Sequence, residues 1–135
     1  MKRVIIGITG ATGTIYGWRL MEMLREEGET EIHLVMSASA KLTLKMKHDI
    51  DPGYINSLAH EVHAPGNIGA SISSGSFSSA GMIIAPCSIK TMSNIAMGNT
   101  GDLISRAADV ILKESDLLII SPFTQNEAFI NKFSG

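Results

Sequence analysis

Twice in this chain a short β-branched run stops at a glycine or a proline and gives way at once to hydroxyl-bearing residues and a helical pattern. The first instance is residues 4–17, VIIGITGATGTIYG, and the second is residues 82–91, MIIAPCSIKT. Strands that alternate with helices in this way imply a parallel, doubly wound sheet. In the second segment Ser88 sits where a helix N-cap belongs, with Lys90 and Thr91 in the first turn. Free backbone N–H groups and the positive end of the helix dipole favour an anion there. A strand feeding such a helix start is a common phosphate cradle. An ordinary capped helix is the commoner use of a serine in that place; the segment of the same kind at residues 4–17 weighs against it.

The glycine turn narrows the ligand. Gly7, Gly10 and Gly13 give G-x-x-G-x-x-G, not the G-x-G-x-x-G of dinucleotide enzymes, and no Gly-Lys-Ser/Thr ending marks a Walker loop. Such glycines are expected to let the backbone turn tightly and approach a ligand closely. The second strand, residues 31–36, ends in Ser37 rather than in the acid that grips an NAD ribose. A hydroxyl there suits a ligand without that ribose, such as flavin mononucleotide.

The length of 135 residues fits a single domain with a real core. With 44% hydrophobic but only 5% aromatic residues, that core must be mostly aliphatic, as in a buried parallel sheet. A formal charge of -2 gives no reason to expect nucleic acid or an anionic membrane surface. The only cysteine is Cys87, which excludes a disulfide framework within the chain and a cysteine-based zinc site. No apolar run reaches membrane-spanning length, and the expected compartment is the cytoplasm. The periodicity predicts strands at 3–8, 31–36, 82–85 and 117–120. Helices are predicted at 14–27, 39–47, 88–97 and 102–114, with a short helix and a loop over 52–63. The serine-rich stretch at 71–79 reads as a solvated linker by composition. Its place just before the second strand–turn unit also allows it to offer hydroxyls and N–H groups to a ligand.

On the helix from residue 102, Arg106, Asp109 and Lys113 fall on one face. An exposed salt-bridged stripe is the commoner meaning of such spacing. The functional reading is two cations aimed at a substrate phosphate, with Asp109 orienting Arg106. His60 and His63 are spaced as a possible metal pair but have no obvious third ligand, so no metal site is expected. His33, in a strand, and His48, near a helix end, read as structural.

Five motifs in order, GITGATGTIYG, HLVMS, ISSGSF, PCSIKT and RAADVILKE, resemble the flavin prenyltransferases (UbiX-like, formerly grouped with phenylacrylic acid decarboxylases). The resemblance runs over residues 1–114. It implies a Rossmann-like or flavodoxin-like three-layer flavoprotein that assembles as a trimer or dodecamer, with FMN held between subunits. By motif, the FMN contacts are Gly10, Ala11, Thr12, Ser37, Ser88, Ile89, Lys90 and Thr91, with Thr12 in the place of a family serine. The ISSGSF segment would approach the flavin across the subunit contact. The implied activity joins a dimethylallyl group from dimethylallyl monophosphate to N5 and C6 of reduced FMN, and the prenylated FMN serves a UbiD-type decarboxylase. Arg106 and Lys113 match positions that hold the donor phosphate, and the scheme requires no metal.

Departures from the family pattern accompany the match. Lys47-His48 stands where the family carries Glu-Thr, and Ser121-Pro122-Phe123-Thr124 stands where it carries an Arg-Glu pair. Residues 115–135 diverge, and the chain is expected to be a C-terminally truncated form of one flavoprotein domain. The leading expectation is therefore a prenyltransferase. An FMN-binding remnant or assembly module without turnover is the alternative. A flavoprotein decarboxylase acting on cysteine peptides ranks last, because residues 14–27 hold no histidine.

Overall fold

In a computed structural model, residues 2–10, 14–114 and 116–122 are described. Five strands, β1 (Lys2–Ile8), β2 (Thr30–Met36), β3 (Glu61–His63), β4 (Gly81–Cys87) and β5 (Leu117–Pro122), form one sheet in the order β3-β2-β1-β4-β5. Every neighbouring pair is parallel. Five helices connect them: α1 (Thr14–Glu27), α2 (Ala38–His48), α3 (Pro52–Leu58), α4 (Ile89–Met97) and α5 (Leu103–Lys113). The expected three-layer flavodoxin-like architecture is the one found.

Strand alternation divides the core into two. Ile6, Ile8, Ile32, Leu34 and Met36 point to one face, where Trp18, Met21, Ala40, Leu44 and Ile55 from α1, α2 and α3 cover them. Ile5, Val35, Met82 and Ile84 point to the other face and pack under Leu103, Ile104, Ala107, Ala108 and Ile111 of α5. Both faces of the sheet are thus apolar, which explains why the strands read as continuous β-branched runs. The helices stop where the sequence supplies a left-handed residue: Gly28 at φ 81° after α1, Asp49 at φ 51° after α2 and Gly98 at φ 70° after α4. Pro52 opens α3 behind the Asp51 cap.

Two expectations need correction. Four strands were expected, and β3 makes a fifth. With three residues, it is too short to show a period-2 pattern, and its pairing partner β2 lies about thirty positions upstream. The serine-rich stretch is largely exposed, as its composition suggests, but it is anchored to the core rather than free. Ile72, 1% exposed, anchors a 3-10 turn (Ser71–Ser73) in the core beside α5. Ser73 Oγ reaches the carbonyls of Ile68 and Ala70, each at 2.8 Å.

Candidate functional site

The sheet order reverses direction between β1 and β4, and the crevice outside the carboxyl ends of strands at such a switch point is where open α/β sheets bind ligands. A cavity of 460 Å³ lies there, lined by the end of β1 (Thr9, Gly10) and the starts of three helices, α2 (Ser37–Ser39), α4 (Ser88, Lys90, Thr91) and α5 (Asp102). Its size is within the usual range for a small-molecule site, about 300–1,000 Å³.

Each helix start is built by its own cap. Ser37 Oγ accepts from the Ala40 N–H at 3.1 Å. Ser88 Oγ accepts from the Thr91 N–H at 3.2 Å and donates to Thr91 Oγ1 at 3.0 Å. The Asp102 carboxylate accepts from Ser105 N at 2.9 Å and from its hydroxyl at 3.0 Å, so both oxygens are engaged on the helix. The N–H groups of Ile89 and Lys90 precede the first intrahelical acceptor of α4, and Lys90 adds a full positive charge. Thr9 ties the two central strands together under this floor. Its hydroxyl donates to the Pro86 carbonyl at 2.7 Å and accepts from the Ser88 N–H at 2.7 Å. The Ala85–Pro86 peptide is cis.

Two of the glycines also have a packing role that the sequence did not show. A Cβ on Gly10 would collide with Ser39, side chain and backbone, and one on Gly17 would collide with the Ala85 carbonyl. Both let protein backbone approach protein backbone: Gly10 seats α2 against the end of β1, and Gly17 seats α1 against β4.

Among the expected cofactor contacts, Gly10, Ser37, Ser88, Lys90 and Thr91 converge on the cavity. The Ile89 side chain is 70% exposed and does not line it, which leaves only its backbone for a ligand. Ala11 and Thr12 lie outside the described residues. Cys87 is buried beside the site, and burial pushes its thiol up to about 11, so it is neither a nucleophile nor a thiolate ligand at neutral pH.

The cations of α5 are elsewhere. Asp109 does not orient Arg106; it pairs with Lys113 at 2.9 Å, because an i,i+4 partner one turn on is the nearer neighbour. Arg106 Nε is buried and without a partner among the described residues. Neither cation lines this chain's cavity, since Asp102 holds the cavity end of α5 and Lys113 lies roughly 16 Å further along the axis. Lys47 is exposed in the last turn of α2, where cations complement the helix dipole. Beside it His48 packs edge-on against Trp18 with ring centroids 5.4 Å apart.

The structure does not bring His60 and His63 together. Residues three apart in an extended segment face opposite ways. His60 Nδ1 accepts from the Ile32 N–H at 3.0 Å, whereas His63 meets His33 on the other side of the β2–β3 edge. Glu61 joins those two, and the three side chains form a potential metal-binding group that sequence spacing did not show. The missing signal was the register of β3 on β2, which sets His33 opposite Glu61 and Val35 opposite His63.

Residues 1–134 match the model of the family described as Flavoprotein. The chain is 50% identical over 120 residues to the flavin prenyltransferase UbiX of Escherichia coli strain K12, an alignment covering 89% of this chain and 64% of that protein. It therefore spans slightly less than two thirds of that relative's length. A crystal structure of a dodecameric FMN-dependent UbiX-like decarboxylase from Escherichia coli O157:H7 superposes with a TM-score of 0.89 at 43% identity, over 91% of this chain and 66% of that one. AnUbiX (PadA1), solved in complex with FMN and dimethylallyl pyrophosphate, also gives 0.89, at 40% identity over 96% of this chain and 70% of its own.

Proposed function

The chain belongs to the Flavoprotein family, and from that premise we propose that it serves as a flavin prenyltransferase. In this reading it binds reduced FMN and transfers a dimethylallyl group to it from dimethylallyl monophosphate. The prenylated FMN then passes to a UbiD-type decarboxylase. The observation that carries the reading is the convergence of three helix starts and Lys90 on one cavity at the sheet's switch point. That set of N–H donors, hydroxyls and one cation fits a phosphate-bearing ligand.

Ser88, Lys90 and Thr91 would hold the FMN phosphate or ribityl chain, with Ser37 and Gly10 on the opposite wall. The reduced flavin supplies the nucleophilic atoms that take the prenyl group. Departure of the donor phosphate leaves allylic positive charge, so catalysis needs cations placed where negative charge gathers on the leaving group. Arg106 and Lys113 are assigned that role toward a neighbouring subunit's site, since neither lines this chain's own cavity. Exposed apolar side chains support a homo-oligomer, a trimer or dodecamer: α4 buries no residue, and Ile89, Met97 and Leu117 are 70%, 84% and 61% exposed. No helix among the described residues is long and apolar enough to cross a membrane, and a cytoplasmic site of action goes with this reading.

An FMN-binding module without turnover is the second reading. It is favoured by Lys113 being held by Asp109, and by Lys47 standing where the resemblance calls for a carboxylate. Anaerobic incubation with reduced FMN and dimethylallyl monophosphate, then mass analysis of the bound flavin, separates the two. A prenylated mass supports transfer and unmodified FMN supports the binding module. A chain that retains no flavin would overturn both.

A further inference from the structure

At the β2–β3 edge, on the α5 face of the sheet, two buried histidines meet. His33 and His63 are 2% and 7% exposed. Their ring planes lie within 15°, with centroids 5.3 Å apart, but Nδ1 of His33 is only 3.1 Å from Nε2 of His63. Nitrogens that much closer than the ring centres, in nearly parallel planes, mean that the rings meet edge to edge through these two atoms. Glu61 brings a carboxylate oxygen to 3.6 Å from the same His33 Nδ1, and one ligand atom from each of the three residues falls within 4.8 Å of the others.

The protonation pattern is set from outside the trio. His33 Nε2 lies 3.0 Å from Glu31 Oε1. An ionised carboxylate only accepts, so neutral His33 carries its proton on Nε2 and presents a lone pair at Nδ1. A carboxylate behind a histidine is the usual support for a metal-ligating imidazole, because it fixes both tautomer and ring orientation. Glu31 is itself held by Arg3 at 3.7 Å, and Arg3 lies over Phe77, whose ring packs edge-on against His33. Without a cation, the His63 Nε2–H donates into the His33 lone pair.

We propose that His33 Nδ1, His63 Nε2 and the Glu61 carboxylate form a binding site for a divalent transition metal, with Zn²⁺ the best match. Two nitrogens bound tetrahedrally at usual Zn–N lengths are about 3.3 Å apart, so the pair has to open by a few tenths of an ångström. Each ring also has to tilt until the two lone pairs, which now point almost at each other, converge on the metal. On binding, the His63 proton moves from Nε2 to Nδ1 and the cation takes the place it leaves, with no net proton change. The two carboxylates, Glu31 and Glu61, outnumber Arg3 and make the local charge favourable to a dication. Two imidazoles and a carboxylate suit zinc better than calcium or magnesium, which take oxygen ligands. Three protein ligands leave the fourth position to water. The half-exposed Glu61 side chain, 54% accessible, is the way in. The site clamps the three-residue strand β3 to β2, in the middle of the sheet edge. It is roughly 13 Å along β2 from Ser37 and the cofactor cavity.

Metal-stripped protein titrated with Zn²⁺ alone, against a competing chelator, tests this. The expected result is one equivalent bound, a rise in the thermal midpoint, and a tetrahedral visible spectrum when Co²⁺ replaces Zn²⁺. Glu31→Gln should weaken binding roughly 10–100-fold by removing only the support. Glu61→Gln, at a half-exposed position, should weaken it at least as much. Circular dichroism separates a lost ligand from a lost fold. Absence of stoichiometric binding would leave a hydrogen-bonded histidine pair and overturn the proposal. Binding untouched by either substitution in folded protein would overturn it too.

Discussion

The two polar assemblies of this molecule differ in how the chain builds them. At the switch-point cavity two walls are contiguous strand–turn–helix segments whose hydroxyls cap the helix that begins there, as Ser37 and Ser88 do, and the third is a helix start capped by Asp102. At the β2–β3 edge the interacting residues come in two pairs from two strands, Glu31 and His33 on β2 and Glu61 and His63 on β3 some thirty positions downstream. Local geometry makes the first; strand register makes the second. The cavity is therefore sensitive to backbone fit and helix starts, and the edge to the identity of a few side chains.

The largest expected effect comes at the backbone fit of the cavity. Gly10→Val should push the first turn of α2 from β1, because Ser39 presents backbone as well as side chain to the new Cβ. Overpacking of this kind costs about 1–3 kcal/mol, and FMN retention should be lost with it. Urea midpoints and flavin absorbance of the purified protein check both, and a variant of unchanged stability would show that α2 is free to shift. The edge trio should be indifferent to this change. If Zn²⁺ affinity fell in parallel in folded protein, the two regions would not be separate.

A smaller effect is expected at the caps. Ser88→Ala removes the acceptor for the Thr91 N–H and should cost about 1 kcal/mol of stability while weakening FMN binding. Thr9→Val leaves the Ser88 N–H without its buried partner and should cost a similar amount, about 1–2 kcal/mol. Equal FMN affinity in both variants and the parent, by fluorescence titration, would remove the α4 start from the site.

The smallest stability effect belongs to Lys113→Ala. Its pair with Asp109 is exposed and of the i,i+4 type, worth about 0.3–0.5 kcal/mol. Prenyl transfer, however, should fall steeply while FMN still binds. Loss of FMN binding instead would move Lys113 from the donor phosphate to the cofactor.

Much of the fold was legible because its signals are local. The limits of α1 follow from a helical apolar face ending at Gly28, and the buried strands read as β-branched runs. The cap at Ser88 was visible because capping needs only a hydroxyl and the next three residues, whereas Ser37 was read only as a ligand hydroxyl and its helix began one residue earlier than expected. The serine-rich stretch misled because composition measures average polarity, whereas one Ile72 is enough to anchor it. The Arg106–Asp109 pairing misled because two partners at helical spacing compete for one carboxylate.

The sequence alone thus determined the alternation of strands and helices and the hydroxyl-capped helix starts at the sheet's end, since each depends on interactions within a few residues. The tertiary structure alone decided that Gly10 and Gly17 serve protein packing, that β3 exists, and that His63 faces His33 rather than His60. Those outcomes depend on register and on the approach of distant backbones. A one-residue slip of β3 on β2 would turn Glu61 and His63 to the opposite face, so the edge cluster exists only once the sheet has paired.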